Sequence, residues 1–272
     1  MSSASRSEAP ARPRAFDAIA ACFDRHRALP EGVPQAIRAA VLGAAGVAAP
    51  RLLDLGAGTG RVGWPFVAAG DAYVGIDLSL GMLREFAKRG ARPIALAQAD
   101  GERLPFADAT FDAVLMVQVF GGMHGWRRVL AETRRVLRPR GVLLVGRTVA
   151  PADGLDARLK QRLVALLGER GVAIARRNVR EDVERSLSGG ATRRAVTVAT
   201  WSAERTPRRY LDRQRTGARF ATLPAAAAAE ALAALADWAI ATFGGLDAAV
   251  REQNAFELQI FSFAVARDAA HA

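Results

Sequence analysis

Three carboxylates that follow short apolar runs, Asp54, Asp77 and Asp100, are the groups in this chain best placed to hold a polar organic ligand. The first lies in Arg51-Leu52-Leu53-Asp54-Leu55-Gly56-Ala57-Gly58-Thr59-Gly60-Arg61, where glycines alternate with small residues. Alternate glycines remove the side chains that would keep a ligand off the backbone, and a helix started just after them aims free N–H groups at it. Asp77 closes the run Ala72-Tyr73-Val74-Gly75-Ile76, and a carboxylate in that place can accept from both hydroxyls of a ribose. The other use of Asp77, as an N-cap, is served at least as well by Ser79. Together these residues suit recognition of a nucleoside.

The spacing narrows the ligand. A dinucleotide fingerprint reads G-x-G-x-x-G, with its third glycine on the helix. Here the third glycine comes one residue early, at Gly60, and Arg61 stands where that fingerprint needs glycine. A nicotinamide-dependent oxidoreductase, a glycine-rich turn with no ligand, and a site for a nucleoside without phosphate all remain open on these residues alone, since Asp77 would serve NAD equally.

The elements that must carry these groups alternate between strand and helix. Residues 51–55 read as a buried parallel strand, 62–69 as a helix, 72–79 as a second strand and 80–89 as a second helix. A third strand over 93–97 leads through Gln98-Ala99-Asp100-Gly101 and Leu104-Pro105-Phe106 to a fourth, Phe111–Val117. The segment from Val129 to Val145 then supplies a helix, a turn and a fifth strand.

The motif D-x-G-x-G-x-G at 54–60 resembles the first motif of the class I S-adenosylmethionine (SAM) dependent methyltransferases. The ordered continuation through Asp100, Leu104-Pro105-Phe106, Phe111-Asp112-Ala113-Val114 and Glu132…Arg138-Pro139-Arg140-Gly141 is similar to their type 11, small-molecule group. The resemblance covers residues 51–147. It implies a Rossmann-like α/β sheet of seven strands in the order 3-2-1-4-5-7-6 with the last strand antiparallel, and SAM as cofactor. It further implies that Gly56, Ala57, Gly58 and Gly60 face the methionine and ribose, with Asp54 orienting the loop or the amino group through water. Asp77 would hold the ribose, Leu78 the adenine face, Asp100 the adenine amino group and Gly101 the ring edge, while Val117 and Gln118 would lie beside the reactive methyl. Residues 16–27 resemble the helix that closes over the cofactor, with Phe23 at its tyrosine position and Arg27 facing the methionine carboxylate.

Two departures from the family pattern stand out. Val119-Phe120-Gly121-Gly122-Met123 replaces the usual histidine pair after strand four, so His124 is the first candidate general base and His26 a weaker second. Arg140 replaces the first glycine of a Pro-Gly-Gly turn, which should alter the turn before strand five.

In 272 residues the chain fits one methyltransferase domain over 16–272, with 1–15 as a disordered tail and 150–192 as an inserted helical lid over the substrate. Helices are expected over 155–168, 179–187, 210–220 and 224–243, a sixth strand over 195–201 and a last strand over 255–264. One cysteine, Cys22, excludes an intrachain disulfide and suits a reducing cytoplasm. No uncharged run reaches the length of a membrane span, since 225–245 contains Glu230 and Asp237.

The net charge of +11 is concentrated: residues 158–219 hold 15 arginines and Lys160 against six acids. The patch suits solvated helix faces or an anionic small-molecule acceptor, and no aromatic interleaving supports nucleic acid. The expected activity is methyl transfer to a small molecule. RNA or protein methylation through the arginine patch and a non-catalytic SAM-binding protein are its rivals.

Overall fold

The protein was analysed as a computed structural model, which describes residues 16–17, 19–120, 123, 125–172, 179–215, 220 and 223–263. Seven strands form one sheet in the order β3-β2-β1-β4-β5-β7-β6. They are β1 (Leu52–Leu55), β2 (Tyr73–Asp77), β3 (Leu96–Gln98), β4 (Phe111–Val117), β5 (Leu137–Val149), β6 (Ala191–Arg205) and β7 (Val250–Phe263). The first five pair in parallel and β7 runs antiparallel to both β5 and β6. The sheet order and the antiparallel last strand agree with what the motifs imply.

A parallel sheet must be covered on both faces, and the apolar residues of each strand alternate between two cores. On one face Val33, Ile37 and Val41 of α1 (Val33–Ala45), Phe66 of α2 (Trp64–Ala69) and Phe86 of α3 (Leu80–Ala87) pack on Leu52, Leu115, Leu144 and Phe256. On the other, α4 (Trp126–Val136) and α6 (Val179–Ser188) pack through Trp126, Val129, Val183 and Leu187 on Leu53, Val114 and Leu143. Full burial of a side chain such as Phe66 or Phe86 is worth about 1.5–3 kcal/mol.

A third core lies apart from the sheet. Leu159, Leu163 and Leu166 of α5 (Leu155–Glu169), Tyr210 and Leu211 of α7 (Pro207–Arg215), and Leu235 and Ala239 of α8 (Ala225–Phe243) bury one another, with no strand residue in the cluster. All three helices join the sheet at the edge where β5 and β6 end and β7 begins. That is also the edge where β1 and β4 end, so the three helices form a cap beside the glycine loop.

The two helices of 150–192 therefore have different neighbours: α5 belongs to the cap, whereas α6 packs into the sheet core. Several boundaries also differ from expectation. Strand β3 starts at Leu96 rather than 93, α7 (Pro207–Arg215) starts three residues before the expected 210, the rest of 210–220 lying mostly outside the described residues, and β6 extends the expected 195–201 at both ends because β7 pairs with it throughout. Helix α8 is the one described helix whose length and mean hydropathy would suffice to cross a membrane. Its Ala231, Leu232, Leu235 and Ala239 are buried within the cap core.

Candidate cofactor and acceptor site

The glycine loop leaves β1 by a backbone path that only glycine takes freely. Gly56, Gly58 and Gly60 have φ of 85°, 56° and 78°, all left-handed. Space makes the same demand at two of them: a Cβ at Gly56 would fall 2.3 Å from Val119 Cγ1, and one at Gly60 2.2 Å from the Phe86 ring. Gly58 differs, because a Cβ there would meet nothing closer than 3.9 Å. Its outer side is open, as a loop that receives a ligand requires.

Asp77 joins the loop to the next strand. Its carboxylate accepts from Gly58 N at 3.0 Å and from Ser79 N at 2.8 Å. Burial raises its pKa above the ordinary carboxylate value, opposed by these N–H donors. Ser79 caps α3, its Oγ accepting from Met82 N at 3.2 Å. Leu78, next to Asp77, is 48% exposed, an apolar side chain free to carry a flat ring. Asp100 accepts from Glu102 N at 2.9 Å through one oxygen, and Gly101 lies against Leu55 and Val129.

Asp54 lies below the loop. It is 2% exposed and accepts from the Tyr73 hydroxyl at 2.8 Å. Burial, reinforced by the charge of Asp77, pushes its pKa up to about 7 against the opposing Tyr73 bond. Its closest described partner is thus a core tyrosine.

At the end of β4, Val117 packs with the sheet core, and Gln118 takes a left-handed φ of 56°, uncommon outside glycine. Arg61 holds it there, donating from Nη2 to Gln118 Oε1 at 2.8 Å and from Nη1 to the Arg27 carbonyl. The residue that breaks the dinucleotide fingerprint therefore ties the glycine loop to strand four and to the N-terminal segment. A single arginine in a sequence carries no such signal.

The segment before α1 is latched over the loop. Asp17 accepts from Ser79 Oγ at 2.5 Å and Gly81 N at 2.7 Å, and Asp24 accepts from Thr59 Oγ1 at 2.6 Å and from Arg89. Both acids escaped sequence reasoning, since aspartates on a surface segment have no distinctive pattern. Between them lies the 3₁₀ helix Ala20–His26, with the Arg27 guanidinium 4.5 Å from the centre of the Phe23 ring. Among the described residues, Arg27 Nη1 has no hydrogen-bond partner. Burial, and then the charge of Arg213, lower its pKa. A half-buried cation with an unspent donor fits a carboxylate. His26 ends the 3₁₀ helix, and His124 lies outside the described residues.

Arg140 takes a left-handed φ of 68° within β5, where the register against β4 shifts.

Residues 53–145 match the methyltransferase domain family model. Over that span the chain is similar to a methyltransferase domain. SAM is the cofactor of such domains, and the donor set fits it: a loop open over Gly58, a carboxylate at Asp77, an exposed apolar platform at Leu78 and an unspent guanidinium at Arg27.

The demethylmenaquinone methyltransferase of Renibacterium salmoninarum is 37% identical over 141 residues, and that of Thermobifida fusca 38% over 136. These matches cover 51% and 48% of this chain, and the chain spans 59% and 58% of the relatives' own lengths. Among solved structures, the YcgJ protein of Bacillus subtilis superposes with a TM-score of 0.54 at 20% identity, over 83% of this chain and 97% of that one. A SAM-dependent methyltransferase from Thermotoga maritima gives 0.51 at 17%, over 92% and 99%. Both share the fold of the methyltransferase domain.

Proposed function

We propose that the chain transfers the methyl group of SAM to a small-molecule acceptor held between the Gln118 loop, the N-terminal latch and the three-helix cap. The observation that carries this reading is the Asp77 carboxylate bonded to Gly58 N beside an open glycine loop. When bound, the cofactor supplies a methyl on a sulfonium, already activated for in-line displacement. The residues of the chain then have to orient the partners and exclude water. Asp77 would hold the ribose hydroxyls, Leu78 the adenine face, Asp100 and Gly101 the adenine edge, and Gly56 to Gly60 the backbone side of the methionine portion. Arg27 would meet the carboxylate, and Arg61 would keep Gln118 and Val117 at the reacting end. His124 is proposed as general base for an acceptor that must lose a proton.

The acceptor named for the relatives, demethylmenaquinone, is the first compound to assay here, because an apolar acceptor suits a site beside an apolar cap. Nucleic acid is disfavoured by the pairing of the arginine-rich region. Arg180 meets Glu184, Arg208 meets Asp247 and Arg213 meets Asp156, so much of the charge is spent within the chain. Isothermal titration with SAM tests the reading. Saturable binding is expected, and a folded sample that binds none would overturn it.

A further inference from the structure

The cap holds a cleft of about 260 Å³, open on one side, between α5, α7 and the residues Phe220 and Leu223. Leu163, Val164, Phe220 and Leu223 line it together with Tyr210. A concave site lined mainly by apolar side chains is the usual form of a small-molecule pocket. These walls also give ordered water few partners, so the space suits an apolar guest better than solvent.

The charges around it are unequal. Asp156 lines the cavity, but its carboxylate accepts from Arg213 at 2.7 Å and lies 4.0 Å from Arg205. Lys160, one helical turn along α5 and also lining the cavity, makes no ion pair among the described residues. Burial, with the Asp156 charge adding to it, pushes the Tyr210 pKa above the ordinary phenol value, so this phenol stays neutral and adds no competing anion. Among the described residues, the cleft is thus largely apolar, and Lys160 is the lining cation without an ion pair. Arg213 of α7 lies near enough to Arg27 for its charge to lower the Arg27 pKa, so the cap lies beside the N-terminal latch.

We propose that this cavity seats the apolar body of an anionic amphipathic molecule, an aliphatic or aromatic carboxylate, with its charge at Lys160. Only the further step, that the guest is the methyl acceptor, rests on the methyltransferase reading.

Decanoate is the probe, titrated calorimetrically into the full chain without SAM, with SAM titrated in parallel. Saturable decanoate binding is expected. Val164→Phe and Ala157→Phe fill the chamber from half-buried positions and should each weaken decanoate roughly tenfold or more by displacing several methylenes, while leaving SAM binding unchanged. Lys160→Gln alters an exposed side chain, so folding is not at issue, and should weaken decanoate by roughly two- to fivefold at low salt, the scale of an exposed ion pair. No saturable binding to the wild type, undiminished binding in both folded filling variants, or undiminished affinity in Lys160→Gln would each overturn the proposal. Decanoate binding without SAM binding would instead remove the acceptor step and leave the chamber standing.

Discussion

Asp54 gives the sharpest quantitative consequence of this structure. An aspartate in the unfolded chain loses its proton near 3.8, whereas folded Asp54 keeps it until about pH 7 because burial disfavours the charged form. Between those values the folded state binds more protons than the unfolded one, so stability falls as pH rises and levels off above 7. The full loss is about 4 kcal/mol, of which about 2.5 kcal/mol falls between pH 5 and pH 8. Asp54→Asn removes the titration and keeps a carbonyl to accept from Tyr73. The variant's own cost, an amide N–H₂ placed in the core, is independent of pH and drops out when the two pH values are compared. Urea unfolding followed by circular dichroism, at several pH values for both proteins, should show the wild type losing about 2.5 kcal/mol more than the variant across that interval. Parallel profiles, or a variant that loses more, would refute the assignment of a protonated, buried Asp54.

Asp77→Asn should lower SAM affinity by about 1.5–3 kcal/mol, roughly ten- to over a hundredfold, as a charged acceptor becomes neutral; calorimetry showing equal affinity would contradict the role. Because burial raises the Asp77 pKa, wild-type SAM affinity should also begin to fall with acidification at a pH above the usual carboxylate range, and the variant should lack that limb. Gly60→Ala combines a left-handed φ with a Cβ placed 2.2 Å from the Phe86 ring, so it should destabilise by about 2–5 kcal/mol in chemical denaturation. Arg140→Gly should raise stability by about 1 kcal/mol by relieving a left-handed arginine, and a lower urea midpoint would count against that strain.

The cofactor half was legible because its determinants are local. Leu52 to Leu55 form a strand with all four residues buried, as a continuous apolar run into glycine suggests, and Ser79 caps α3 where its position before an amphipathic stretch puts it. What escaped was set by distant neighbours. The apolar periodicity of 179–187 announced a buried face without naming its partner, and the partner is the sheet core through Val183 and Leu187. Strand β6 looked short because Arg193, Arg194, Glu204 and Arg205 lie outside its apolar centre. As an edge strand it tolerates those charges, and pairing with β7 extends it to 15 residues. Arg61, Asp17 and Asp24 each act through two contacts, across 34 to 65 residues of chain, and no periodicity encodes such contacts.

The same division explains why the comparisons reach the cofactor and stop short of the acceptor. The matched span, 53–145, ends within β5, just before the chain enters the cap, and every residue lining the cap cavity lies between Asp156 and Leu223. Among the described residues the apolar cap core contains no strand residue, although Glu252 of β7 accepts from Leu155 N at 2.6 Å, so apolar cap side chains can be exchanged with little effect on the sheet core that shapes the glycine loop. On the proposed function, local backbone geometry would fix what donates the methyl group, while a separately packed unit would be free to fix what receives it. Filling the cap cavity should consequently change decanoate binding and leave SAM affinity untouched, whereas Asp77→Asn should do the reverse. Coupled losses in both binding reactions would mean that cap and sheet act as one body, and the separation read from their cores would fail.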